Sequence, residues 1–140
     1  MPEIMRADVT SSVISIAELI ALVSDQSCGA VVTFTGDVRN IDKGRDVSSL
    51  RYEIHPMAAD EIVKITQGVI TSSGAVKVAV SHRFGEIAIG ETAFAVAVSS
   101  THRDAAFEIC SLLVNEIKEK LPIWKHQIFK DGSDEWVNTA

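Results

Sequence analysis

Hydrophobic positions along the chain change period several times, and each change marks an element. Ser15 and Glu18 form an S-x-x-E pair, a reciprocal cap for a helix start, ahead of Leu19, Ile20, Leu22 and Val23. A helix is therefore predicted from about Ile16 to Ser27, stopped near Gly29. Ala30 to Thr35 is short, apolar and β-branched, as a buried strand is. From about 41 to 49 the chain turns polar, with Gly44 between Lys43 and Arg45, and a flexible loop is expected. A strand resumes over Ser49 to Ile54. Pro56 suits the first position of a second helix, where its missing N–H would be unpaired anyway. Ala58, Ile62, Ile65 and Val69 give that helix its apolar stripe, and Gly74 closes it. Strands are predicted over Val76 to Ser81, Glu86 to Ile89 and Thr92 to Ser99, punctuated by Gly85 and Gly90. A third helix, starting near Thr101 or His102, carries Phe107, Cys110, Val114, Ile117 and Leu121 at core-facing spacing and ends before Pro122. Ile123 to Phe129 and Glu135 to Asn138 are predicted as strands around an Asp131-Gly132 turn.

The order is αββαβββαββ. Strands in clusters, rather than in strict alternation with helices, indicate an α+β fold. A chain of 140 residues with no repeat and no composition break makes one compact domain, with a mixed or antiparallel sheet and about three helices.

Composition adds exclusions. The longest purely apolar runs, such as Ala93 to Val98, are far too short to span a bilayer. The first twenty residues lack a basic start followed by an apolar stretch, so no secretory leader is expected and a cytoplasmic location is. A formal net charge of −6 argues against the broad basic face of a general nucleic-acid binder. Cys28 and Cys110 are too few and too far apart for a disulfide framework or a zinc site. Cys110, on a helix stripe, is expected to be a buried, inert thiol. The histidines at 55, 82, 102 and 126 show no metal-ligand spacing, which disfavours a metal-dependent hydrolase.

What remains is a set of cations beside strand and helix ends. Arg39 follows the strand holding Phe34, His102 and Arg103 open the third helix, Lys118 lies in its last turn, and Lys125 stands just past Pro122. Lys118 is also explained simply by the helix macrodipole. Free N–H groups near His102 and Arg103 would favour an anion. On residues alone, the reading stops at an α+β domain with an anion pocket.

Five ordered blocks extend it. Phe34-Thr-Gly-Asp-Val-Arg39, Leu50-Arg-Tyr-Glu-Ile-His-Pro-Met57, His82-Arg-Phe-Gly-Glu-Ile-Ala-Ile-Gly-Glu91, Ser100-Thr-His-Arg-Asp-Ala-Ala-Phe107, and Leu112 to Lys118 leading into Pro122-Ile-Trp-Lys125 together resemble the catalytic (large) subunit family of molybdopterin synthase. Asp131-Gly132 and Trp136-Val137 fit the same pattern. One departure is local: where the family commonly continues with Lys-Glu after Pro-Ile-Trp-Lys, this chain has His126-Gln127.

The resemblance implies an α/β-hammerhead-like fold and a homodimer at the centre of a heterotetramer. A small ubiquitin-like sulfur carrier would insert its Gly-Gly thiocarboxylate tail into each large subunit. It implies a sulfurtransferase that converts cyclic pyranopterin monophosphate to the dithiolene of molybdopterin, with no metal or other cofactor of its own. By the same resemblance Lys118 is the principal catalytic residue, assisted by Lys125 and Arg39. Phe34, Asp37, Val38, His102, Arg103, His126 and Gln127 join these three in binding substrate. The competing class is a non-catalytic small-ligand or carrier-binding dimeric domain, which would need neither lysine.

Overall fold

A computed structural model describes residues 2–71 and 73–140. Among them nine strands and three helices are arranged as two sheets. They are β1 (Glu3–Thr10), α1 (Ile16–Val23), β2 (Ala30–Asp37), β3 (Ile41–Asp42), β4 (Arg45–Ile54), α2 (Ala58–Ile70), β5 (Ala75–Arg83), β6 (Gly85–Ile87), β7 (Thr92–Ser100), α3 (Arg103–Lys120), β8 (Ile123–Phe129) and β9 (Asp134–Val137). The first sheet has the order β1-β5-β7-β2, with β1 parallel to β5 and the other pairs antiparallel. The second runs β3-β4-β8-β9, with β6 also paired to β4. The α+β expectation with three helices holds, and the mixed or antiparallel sheet is two sheets, the first mixed and the second antiparallel.

The first sheet is covered on both faces, and β7 explains how. Its side chains alternate by size: Ala95 and Ala97 join Ala79 under Leu19 and Val23 of α1, a small-residue floor on which the helix can settle closely. Phe94, Val96 and Val98 point the other way, with Val78 and Val80, into the main core beneath α2 and α3. Ile62, Leu113 and Ile117, all fully buried, close that layer.

Several boundaries differ from the sequence reading. β1 has no counterpart in the sequence reading: Arg6 and Asp8 interrupt its apolar residues, a bulge near Arg6 breaks the register, and pairing to β5 defines it. α1 stops at Val23, not near Ser27. Pro56 lies in a turn and α2 begins at Ala58, because the His55 ring and carbonyl take the N–H groups of Met57 and Ala58 there. The segment expected to be a flexible loop is a hairpin. Lys43 and Gly44 both hold positive φ, the backbone of a two-residue turn matched to strand twist, so β3 and β4 pair directly around them.

The α3 stripe is partly rotated: Cys110, Ile117 and Leu121 are buried as expected, and Phe107 is not. Ala106, Ile109, Cys110, Leu113 and Ile117 face the core, whereas Phe107 is 61% exposed and Val114 only partly buried. Cys110 is buried, as expected, and burial pushes its thiol up to about 11.

This rotation is testable. Ile117→Ala should cost about 2–5 kcal/mol in urea unfolding, the usual loss for a buried aliphatic truncation. Phe107→Ala should cost distinctly less, and equal losses would restore the original stripe.

Candidate functional site

Where the two sheets meet, the end of β2, the start of β7, the paired strands β4 and β8, and the last turn of α3 enclose a cavity of about 190 Å³. Its walls include Asp37, Val38, Arg39, Lys118, Lys125 and Gln127, together with Tyr52 and Phe94. A break in register opens it: Gly36 pairs with Phe94 but Asp37 pairs with Thr92, leaving Ala93 as an extra residue at the pocket wall.

The floor is tied down by backbone and carboxylate. The Val38 N–H donates to the Glu91 carbonyl at 2.9 Å, and the Gly90 N–H donates to the Val38 carbonyl at 2.7 Å. Thr92 Oγ1 donates to Asp37 Oδ1 at 2.9 Å. Arg83, buried among apolar residues, donates to Glu91 Oε1 at 3.1 Å, and Ala88 N–H shares that oxygen.

Lys118 is the centre. Its Nζ donates to a main-chain oxygen of Ala140 at 3.1 Å, and Ala140 is itself buried in the cavity. Partial removal from water, and secondarily the charge of Lys125, hold the Lys118 pKa below that of a free lysine. Lys125 reaches the same space because β8 alternates: Lys125 and Gln127 line the cavity, while His126 points to the far side.

Asp42 balances part of this charge. Gln127 Nε2 donates to its Oδ2 at 2.8 Å, and Arg39 reaches its Oδ1 at 3.3 Å. The Gln127 hydrogen bond, followed by the charges of Lys125, Arg39 and Lys43, keeps the Asp42 carboxyl below its ordinary value against the opposing effect of burial. The His126-Gln127 departure thereby acquires a reason. An amide donates where a glutamate would set a second carboxylate 2.8 Å from the first.

Of the residues singled out in the sequence, Asp37, Val38, Arg39, Lys118, Lys125 and Gln127 meet here; four do not. Phe34 stands behind the wall, edge-on to Phe94 at 5.7 Å, and Phe94 takes the lining position. His126 bonds Asp134 at 2.8 Å and stacks on Trp136, its ring centroid 4.2 Å away. His102 and Arg103 sit at the opposite end of α3 from Lys118, exposed to solvent. Tyr52 was overlooked as a site residue. Its cross-strand neighbour is Lys125, a register that no local pattern reveals.

Gln127→Leu should raise the Asp42 pKa, read by side-chain carboxyl NMR. A depressed carboxyl contributes stability above its unfolded value, near 3.8 here, that is lost as pH falls through the folded value. The pH-dependent part of the stability gap between wild type and variant should therefore shrink below about pH 3.8. A gap constant from pH 7 to pH 2 would remove the assigned coupling.

Comparison with known proteins meets this geometry. The family model described as MoaE protein matches residues 9–120. A molybdopterin synthase catalytic subunit of Pyrococcus abyssi is 39% identical over 124 residues, covering 88% of this chain and 83% of the relative. That of Rattus norvegicus is 38% identical over 128 residues, 91% of this chain; the chain spans 64% of the rat protein's length. The solved structure of molybdopterin synthase from Staphylococcus aureus superposes with a TM-score of 0.84 at 32% identity, over 93% of this chain and 95% of that one.

Proposed function

The chain belongs to the MoaE family, and on that premise we propose that it is the catalytic subunit of a molybdopterin synthase. Sulfur passes from the thiocarboxylate tail of a small ubiquitin-like carrier to cyclic pyranopterin monophosphate, and two transfers build the dithiolene. The observation that carries this reading is the Lys118 ammonium holding a main-chain oxygen of Ala140 inside a cationic pocket. An extended tail entering the cavity in place of Thr139 and Ala140 would present its terminal carbonyl to the same ammonium.

The chemistry suits the residues. The thiocarboxylate sulfur forms a bond to a side-chain carbon of the pterin as that carbon's bond to oxygen breaks; the oxygen leaves with a proton taken from a pocket lysine, and carrier and substrate are joined through a thioester. Water then adds to the acyl carbon, and the carrier departs as a carboxylate while sulfur stays on the substrate. Negative charge grows on the acyl oxygen in that step, and fixed cations in a partly dry site stabilise it far better than exposed ones. Lys118, kept below an ordinary lysine by desolvation, can also exchange a proton near neutral pH more readily than a surface lysine. Lys125 adds charge, and Arg39, 71% exposed at the rim, can fork onto phosphate or carboxylate.

Arg103 and His102 need a second copy to take part. Arg103 lies fifteen residues before Lys118 on α3, roughly 22 Å at 1.5 Å per residue. We assign them to the anion site of the partner in a homodimer, where an isologous contact supplies both ends twice. Carriers bound to each subunit would complete a heterotetramer.

Incubation with thiocarboxylated carrier and cyclic pyranopterin monophosphate should yield dithiolene product. Lys118→Ala should fold normally and lose about 100- to 10,000-fold in rate, the usual contribution of a positioned acid–base group. Near-wild-type turnover by the folded variant would remove the central residue of the mechanism.

The shared site has its own test. Arg103→Ala and Lys118→Ala, each inactive alone, should recover roughly one quarter of wild-type activity when mixed and exchanged: about half the dimers are mixed, and each of those has one intact site of two. Subunit exchange without recovery would place Arg103 outside the partner's pocket.

A further inference from the structure

Buried tyrosines ordinarily place their hydroxyl against a partner. Tyr52 does not. Its side chain is 7% exposed, yet its hydroxyl makes no hydrogen bond among the described residues, and burial alone accounts for its raised pKa. The residue lines the same cavity as Lys118 and Lys125, and its cross-strand partner on β8 is Lys125 itself.

The ring has no freedom to turn away. His82, fully buried on β5, meets it edge-on with centroids 4.8 Å apart and planes at 79°. His82 is stacked in turn on Phe94 at 5.3 Å and 23°, and its Nδ1 is bound to the Arg83 carbonyl at 2.8 Å. A fixed ring with a free hydroxyl at the pocket wall is a preorganised donor.

Resting on the function proposed above, we infer that the Tyr52 hydroxyl is a further catalytic group, donating a hydrogen bond to the carrier's acyl oxygen as that oxygen becomes an oxyanion. Water adds to the thioester carbon, and the carbonyl π pair moves onto oxygen. Tyr52 donates to that oxygen without giving up its proton. The carbonyl then re-forms and the carbon–sulfur pair leaves on the substrate sulfur, while the protons of water pass to solvent. Burial pushes the phenol up to about 12, so it is protonated at neutral pH. A neutral donor adds a hydrogen bond without adding a further positive charge beside Lys118 and Lys125, where burial and then the charge of Lys125 already lower the Lys118 pKa.

Tyr52 is the chain's one tyrosine, so biosynthetic replacement by 3-fluorotyrosine alters this ring alone. Single-turnover assays with thiocarboxylated carrier and cyclic pyranopterin monophosphate should compare wild type, Tyr52→Phe and the fluorinated protein. Tyr52→Phe should slow carrier release about 100-fold, as loss of one oxyanion donor does. Carrier affinity should be unchanged and the thioester-linked species should accumulate. The fluorinated protein, whose hydroxyl is retained, should stay close to wild type. Wild-type release by Tyr52→Phe overturns the inference. So does equal slowing of both proteins, which would assign the effect to ring packing. Should Tyr52→Phe fail to fold, the fluorine resonance decides: it should shift when the carrier tail binds, and an unmoved resonance overturns the inference. If wild type transfers no sulfur at all, the proposed function fails first and this inference falls with it.

Discussion

The chain reversal at the end of α3 is the constraint on which the pocket depends. Ile117 and Leu121 are buried under the sheet, and Ile123, two residues further on, must be buried as well. Leu121 N–H closes the helix on the Ile117 carbonyl, and Pro122, with no N–H, cannot extend it. The Pro122 carbonyl instead accepts from His55 N–H at 3.1 Å, which starts β8 along β4. Once these apolar residues are in place, Lys118 before the reversal and Lys125 after it are carried to one cavity. Hydrophobic burial thus brings two ammonium groups together, and the Lys118 pKa is lowered first by its removal from water and then by the charge of Lys125.

The remaining polar groups are arranged so that this positive charge is moderated rather than cancelled. Asp42 is held by Gln127 and Arg39, and Asp37 by Thr92, so neither carboxylate pairs with Lys118. Lys118 turns instead to the main-chain oxygen of Ala140, a position that the end of another chain can take. Beneath the wall, His82 Nε2 and Arg83 Nε are buried without partners. His82 is consequently kept neutral, its pKa pushed down to about 4 chiefly by burial, and serves the site through the shape and placement of its ring.

The negative net charge and the cationic pocket are compatible because they act over different distances. Lys118 and Lys125 work within a few ångströms, in a place partly withdrawn from water, where an interaction is stronger than between solvated surface charges. The acidic balance of the whole chain governs solubility and encounter rather than the chemistry of a bound acyl group.

The sequence showed the three helices, every strand of the core except β1, and the cations at their ends. Periodicity, capping and proline stops are local effects that act within a few residues. It also determined the family, through motifs whose order survives without any knowledge of contacts. Tertiary structure alone decided which of those residues meet. β1 exists through its pairing with β5, and the polar stretch at 41–49 becomes a hairpin because Lys43 and Gly44 accept positive φ between pairing strands. Phe107 drops out of the α3 stripe, while Cys110, Ile117 and Leu121 keep their place in it, because α2 and the first sheet together cover the side of the helix that carries Ala106, Ile109 and Leu113. His126 and Gln127 are adjacent in sequence yet face opposite sides of β8, and Tyr52 belongs to the site through a register with Lys125 seventy-odd residues away. Such registers arise from the summed packing of whole strands, which no window of sequence contains.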